Sequence, residues 1–513
     1  MVTLQLSKVK DAIEVLSLYM FEQISHPTRC IAVTPFFKEA ASLVGSLAKF
    51  KLEIDSGKEE WFRGYIVRVG LETETVELET LSWAALLSRS ASSRIFEQQS
   101  LSQIIKTVLE KCPVKYSIND VEMSLDLSIQ FNETDFNYLN RLLEHNGVFY
   151  FFREIAEKTE WVFSQNNAAF TENKVALPQI ERLKKNLSWL PGKYNLKGLQ
   201  NNRVVHELDS GDTDFIINDE ISQPAESDVI AKVRQRELAL GIAEIEGESV
   251  CEHIRTGRKI TLNKAAVLVT KVEHQWVLGE GYSNVFHGVP SDIEVVPPRE
   301  TAIPDVSGVY MAQVIGASEG IADLDEQGKV RIDFEWADSE KSQCWAPVTQ
   351  VWSGKYNAIQ FFPRVGDKVF VCFENSDPDR PIVVGSVSET KTPLIEGNKK
   401  VTTGILTKSP NSKKHGWIVT EEKDNETLTI IADNAMTVEA EKRTVLIKSH
   451  DKTTIKEGDM TVEIEQGNIQ ITANKGTITL KGKDIAIEAQ DTISLKNGTV
   501  SLVLTKNGTL EVE

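Results

Sequence analysis

From Glu426 to Glu513 the chain repeats one short motif: an alternating strand with one apolar and one polar face, then a Gly or Asn turn. Met460, Val462 and Ile464 lead to Gly467, Ile469 and Ile471 to Gly476, and Ile478 and Leu480 to Gly482. Ile485 with Ile487, Ile493 with Leu495, Val500 with Leu502 and Leu510 with Val512 continue the series, with Asn497-Gly498 and Asn507-Gly508 as turns. The first apolar residues fall roughly eight positions apart, the length of one strand plus one turn. A strand of this kind cannot bury its own apolar face. The repeat therefore predicts a β-solenoid, stacked within one chain or wound among several. Leu428 to Ile455 is spaced less evenly and is Lys-rich, so the start of the regular repeat is bracketed only between 415 and 460.

At 513 residues the chain is long enough for three or so domains, and 41% hydrophobic content supplies them with cores. A net charge of -18 argues against a general nucleic-acid binder, because phosphate recognition needs clustered Lys and Arg. Surplus acid suits a strand-rich, self-associating protein that must stay soluble. The five cysteines, Cys30, Cys112, Cys251, Cys344 and Cys372, are odd in number and scattered, which predicts buried free thiols rather than a disulfide framework. The first twenty residues lack a basic segment leading into an apolar run, and no stretch of about eighteen apolar residues occurs, so neither a cleavable leader nor a membrane span is expected.

The order of elements predicts a mainly β chain with an α+β head. Trp61–Val69 and Thr75–Leu81 alternate like paired strands. Leu101, Ile104, Ile105, Val108 and Leu109 form one helical stripe, opened by a Ser100/Gln103 capping box and closed at Cys112-Pro113. A second helix opens at Thr134, carries Phe136, Leu139 and Leu143, and stops at Gly147 before the apolar strand Val148–Phe152. Pro290, Pro297, Pro298 and Pro304 mark a boundary. Beyond it, strands are expected at Val309–Ile315, Gly328–Glu335, Val348–Val351, Lys368–Phe373 and Ile382–Ser386, the count of a small OB-type barrel. Residues 391 to 415, rich in Lys, Thr and Ser, connect the barrel to the repeats.

Four segments of this barrel carry a resemblance. They are QGKVRIDFEWA (Gln327–Ala337), CWAPVTQVWSG (Cys344–Gly354), PRVGDKVFVCF (Pro363–Phe373) and SDPDRPIVVGSV (Ser376–Val387). Upstream stand SRIFEQQSLSQIIKTVL (Ser93–Leu109), QFNETDFNYLNRLLEHNGVFYFF (Gln130–Phe152) and GYSNVFHGVPSDI (Gly281–Ile293). Together they resemble the VgrG family, the spike proteins of bacterial type VI secretion, similar to the hub and needle of contractile phage tails. Gln327 and Lys329 stand where many members carry His and Arg, and Glu335-Trp336-Ala337 replaces a commoner His-Trp-Asp.

The resemblance implies a phage-hub-like head at 1–300, an OB-fold barrel at 305–390, a connector at 391–425 and a needle at 426–513. The needle would be a triple-stranded β-helix formed in a homotrimer. It further implies a tube of Hcp-like rings capped by the head, contacts with baseplate proteins, and a PAAR-type tip protein or effector at the needle end. The tip-docking residues would be Thr509, Leu510, Glu511, Val512 and Glu513. Such a protein is cytoplasmic during assembly and then secreted or injected into a target cell without a signal peptide, touching the target membrane only by puncture. Three interwound chains also have a physical rationale, because closed winding encloses a shared apolar interior and removes free strand edges.

Candidate chemistry is sparse. Asp377-Pro378-Asp379-Arg380-Pro381 holds two carboxylates and a guanidinium, the ingredients of acid/base work, but the same residues make a turn between two apolar strands, which is the reading adopted. Trp336, Trp345, Trp352, Tyr356, Phe361 and Phe362 crowd the barrel, yet Asp333, Glu335, Asp338 and Glu340 stand among them. Core packing and subunit contacts are expected, not base stacking. Cys251-Glu252-His253 lacks a second ligand pair, and His415 and His450 are isolated, so no metal and no cofactor is expected. Neither a phosphate loop nor a nucleophile elbow occurs. The expectation is a non-enzymatic spike. The alternatives are a baseplate spike of a phage or extracellular injection particle, and a spike bearing a cell-wall hydrolase or toxin activity, for which neither the connector nor the C-terminus leaves space.

Overall fold

The structure, a computed structural model, describes residues 1–54, 57–155, 158–173, 179–188, 193–198, 203–209, 216–221, 227–241, 243–262, 264–338, 341–387, 395, 402–408, 412–498, 500–505 and 510–512. They fall into two units, Met1–Ala435 and Met436–Glu513.

Alternating burial builds the head. Thr75–Leu81 and Arg29–Pro35 each turn every second residue inward, and Thr75–Leu81 pairs with Arg29–Pro35 on one side and Gly57–Leu71 on the other in one antiparallel sheet. The sheet continues through Leu47–Ile54, Val2–Leu6 and Ile13–Glu14 on one side. On the other it runs through Ser17–Gln23, Ala265–Val277, Gly281–Pro290, Ala243–Ser249 and Ile180–Leu187. Ser17–Gln23 pairs with Ala265–Val277, so two sequence-distant lobes share one sheet. Between them lies an insert carrying the expected helices. Leu101–Leu109 begins with the Ser100/Gln103 capping box and buries its five apolar stripe residues. Asp135–His145 is capped by Thr134, and Gly147 ends it at a φ of +68°, a left-handed conformation that glycine adopts without strain. The helix Ser227–Leu240 has no counterpart in the sequence reading.

The barrel sheet runs Gln343–Ala346, Val330–Phe334, Tyr310–Val314, Lys368–Phe373, Pro381–Val387, all antiparallel. It closes where Val383 N–H donates to the Pro347 carbonyl and Thr349 N–H to the Val383 carbonyl, both at 2.9 Å. The third strand is thus Gln343–Ala346 and not Val348–Val351: Cys344 and Ala346 point inward, Pro347 offers no N–H, and Val351 is 84% exposed. A separate hairpin, Trp352–Gly354 with Asn357–Ile359, follows. The aromatic residues divide accordingly. Trp336 packs on Phe334 and Phe131, whereas Trp352, Tyr356 and Phe361 are exposed.

Thr402–Lys408, Lys414–Glu422 and Asn425–Ala432 form one three-stranded antiparallel sheet that runs straight through residue 425. Ile405, Trp417 and Ile430 lie in cross-strand register on one face with their side chains exposed, and Leu428 is exposed beside them.

In the second unit the repeats make no ladder within the chain from residue 436 to Asp491. Their apolar side chains lie open, with Leu446 at 90% and Ile471 at 71% exposure. The alternation is present, but no neighbouring strand of the same chain meets it. Among the described residues of this unit, only Thr492–Asn497, Val500–Thr505 and Leu510–Val512 pair, as an antiparallel meander.

Candidate functional site: the joint between head and barrel

Distant segments meet through polar contacts at the seam where the barrel docks on the head. Strand Ala91–Ser100 borders the barrel. Ile95 N–H donates to the Lys341 carbonyl at 2.8 Å, and Asp338 N–H to the Ser93 carbonyl at 2.9 Å. Glu97 reaches across with both oxygens: one accepts Trp345 N–H at 2.8 Å, the other the Arg331 guanidinium at 3.3 Å. Ile95 and Ile129 of the head complete the barrel's own apolar core. Phe131 meets Trp336 and Tyr310 edge-on, and the Lys341 ammonium sits 4.6 Å from the Phe96 ring centre.

The Asp377–Pro381 segment is a turn, as the sequence suggests. Asp379 N–H donates to the Asp377 carboxylate at 3.0 Å, and Arg380 pairs with Glu374. It does more than turn, because the Asp379 carboxyl accepts Ile129 N–H of the head at 2.5 Å. Close by, Arg141 is buried with Glu133, donating Nε and Nη2 to its carboxylate and Nη2 to the Ile129 carbonyl. Burial pushes the Asp379 carboxyl up to about 7; Arg141 opposes that shift and Asp377 adds to it.

The Pro-rich boundary is pinned. Glu144, buried on helix Asp135–His145, accepts Glu300 N–H at 3.0 Å, Thr301 N–H at 2.8 Å and the Thr301 hydroxyl at 2.8 Å. Asn167 accepts Val295 N–H at 3.0 Å and donates to the Ile293 carbonyl at 2.8 Å. A segment held by this many charge-assisted and backbone bonds is a strut and not a hinge.

A second buried network locks the two lobes of the head. Glu22 on Ser17–Gln23 binds Arg255 through Nε at 2.8 Å and through Nη2, and accepts the Thr256 amide at 3.3 Å. His274 stands 3.6 Å away, with its Nδ1 2.7 Å from the Tyr282 hydroxyl, which Asn284 holds at 2.8 Å. Burial alone would raise the Glu22 carboxyl. The charge of Arg255 and its hydrogen bonds, with His274 close by, outweigh it and hold the group well below the usual carboxylate range. Burial likewise lowers His274. The Arg255–Gly257 turn presses on Phe151: a Cβ on Gly257, whose φ is +74°, would lie 2.3 Å from that ring.

Of the tip residues, Leu510, Glu511 and Val512 form the last strand of the meander, and Thr509 and Glu513 lie outside the described residues. The five cysteines are free thiols, three of them buried. Among the described residues no three His, Cys, Asp or Glu side chains gather to hold a metal, and no helix is long and apolar enough to cross a membrane.

Two family models match the chain in sequence order. Residues 32–186 match the phage tail baseplate hub, and 314–387 the type VI secretion system/phage-baseplate injector OB domain, which coincides with the barrel. The type VI secretion system spike protein VgrG1c of Pseudomonas aeruginosa is 25% identical over 494 residues, covering 84% of this chain and 67% of the relative. The actin cross-linking toxin VgrG1 of Vibrio cholerae is 25% identical over 363 residues, covering 60% of this chain but 32% of the toxin. The chain thus spans from about a third to about two thirds of these curated relatives. Among solved structures, the E. coli c3393 protein, described as a type VI secretion component similar to the T4 tail proteins gp27 and gp5, aligns with a TM-score of 0.57 at 17% identity. It covers 75% of this chain and 99% of its own. A Francisella PdpA–VgrG complex aligns with a TM-score of 0.57 at 10% identity, covering 84% and 85%. These likenesses establish the hub and barrel fold.

Proposed function

We propose, from its likeness to the VgrG spike proteins of type VI secretion, that the chain is the structural, non-enzymatic spike of a contractile injection machine, working as a homotrimer. The observation that carries the reading is the run of uncovered apolar side chains in the C-terminal part of the chain. It begins at Val351, Trp352 and Tyr356, passes through Ile405, Trp417, Leu428 and Ile430, and continues along the repeats to Leu495. Exposed apolar surface on this scale calls for a partner. Copies of the same chain, bringing the same alternation, cover it as a triple-stranded β-helix with Thr, Lys and Glu outward.

On this reading the head caps a tube of Hcp-like rings beside the baseplate proteins, and the joint passes the thrust of contraction to the barrel and on to the needle. A PAAR-type tip protein or effector docks at Thr509, Leu510, Glu511, Val512 and Glu513. Rigidity is the working quantity, and the Glu97, Glu144 and Asp379 contacts supply it at the joint. The hub model matched by residues 32–186 is named for phage tails, so the same parts would also serve a phage or extracellular particle; a membrane complex encoded nearby separates the two.

The test is release of the tube protein from cells carrying the whole system. Removing the chain should abolish release, and the intact chain should restore it, whereas a version ending at residue 435 should not. A version lacking 500–513 should still trimerise but lose co-purifying tip protein. Full release without the chain would refute the function, and undiminished tip co-purification the docking site.

A further inference from the structure

The Asp379 carboxyl is the odd group in the joint's charge balance. Helix Asp135–His145 presents Arg141 and Tyr138, and strand Ser124–Thr134 presents Glu133 and the Ile129 amide. The turn itself contributes Asp377, while its Arg380 is engaged by Glu374 at 2.5 Å. Tyr138 donates its hydroxyl to Ser128 at 3.0 Å and stays neutral, because burial raises it far above the usual phenol range. Arg141 commits its Nε and Nη2 donors to Glu133 and the Ile129 carbonyl. One guanidinium therefore faces two carboxylates, and the second, Asp379, is met by a single backbone N–H. Two carboxylates sharing one cation in a partly desolvated joint compete for it, which favours a proton on one of them.

We propose that Asp379 makes the head–barrel joint proton-sensitive: uptake of one proton from solvent by its carboxyl tightens the joint, and loss of that proton loosens it. The sign follows from linkage. The native carboxyl sits about 7 against 3.8 for an ordinary aspartate, so its contribution is fully present below the ordinary value and is lost as pH rises through 7. This inference rests on the joint's geometry and is independent of the proposed function.

The test uses the full chain and Asp379→Asn, which keeps an acceptor for the Ile129 amide but cannot titrate. Amide exchange, corrected for the intrinsic pH dependence, is followed at Ile129–Asn132 and at the Ile95 amide between pH 5.5 and 8.5. The wild type should lose about tenfold in protection as pH rises, Asp379→Asn should stay level, and Asp377→Asn should follow the wild type. Level or rising protection in the wild type overturns the proposal, as does an unchanged pH response in Asp379→Asn. If that variant fails to fold, the wild-type profile alone decides.

Discussion

Three carboxylates do different work in this protein because their surroundings differ. Glu97 lies at the rim of the joint and ties the barrel edge through one amide and one arginine. Asp379 is the surplus acid of the same joint. Glu22 is buried with a full partner set, so removing its charge strands Arg255 inside the head. Glu22→Gln is expected to destabilise the head by about 3–5 kcal/mol, the usual cost of breaking a buried pair, read by urea unfolding at pH 7. The depressed Glu22 carboxyl contributes stability that is present above its ordinary value and lost as pH falls through its native one. Lowered His274 acts in the same direction. The acid limb of the wild-type stability curve should therefore be steeper than that of Glu22→Gln, and parallel limbs would contradict this account. Acid weakens the head while alkali weakens the joint, so the two effects separate in one titration.

At the scale of elements, what the sequence makes legible is what is local. The stripe and capping box of Leu101–Leu109 lie within ten residues, as does the alternation of Thr75–Leu81, and each folds as those patterns demand. Helix Ser227–Leu240 is hidden because Arg234 and Glu237 break its apolar stripe, and the buried Arg234 looks like a surface residue until Glu237 is seen beside it. The joint is hidden for a different reason. Glu97 and Trp345 stand 248 positions apart, and Ile129 and Asp379 stand 250 apart, so no spacing rule connects them. The barrel's aromatic residues are read as one group by composition, but the chain separates them: Trp336 is packed, while Tyr356 at 87% exposure tops an open hairpin. Trp352→Ala with Tyr356→Ala should change monomer stability by no more than about 0.5 kcal/mol and weaken trimer assembly by about 2 kcal/mol or more. Sedimentation across a dilution series measures it, and unaltered assembly would remove the hairpin from the interface.

At the scale of the molecule, the chain combines a folded part whose domains are bolted together with a C-terminal part whose apolar face is left open. In the proposed function the two features serve one design for transmitting force. A stiff joint would keep thrust from being lost between head and barrel, and a needle core shared among copies would have strength that a single narrow strand run lacks. The proposed needle core depends on the chain being one of three. Size-exclusion chromatography with light scattering on the intact chain at micromolar concentration tests this most directly. The account predicts a single species of about 172 kDa, three 57.3 kDa chains, and a stable 57.3 kDa monomer would contradict it.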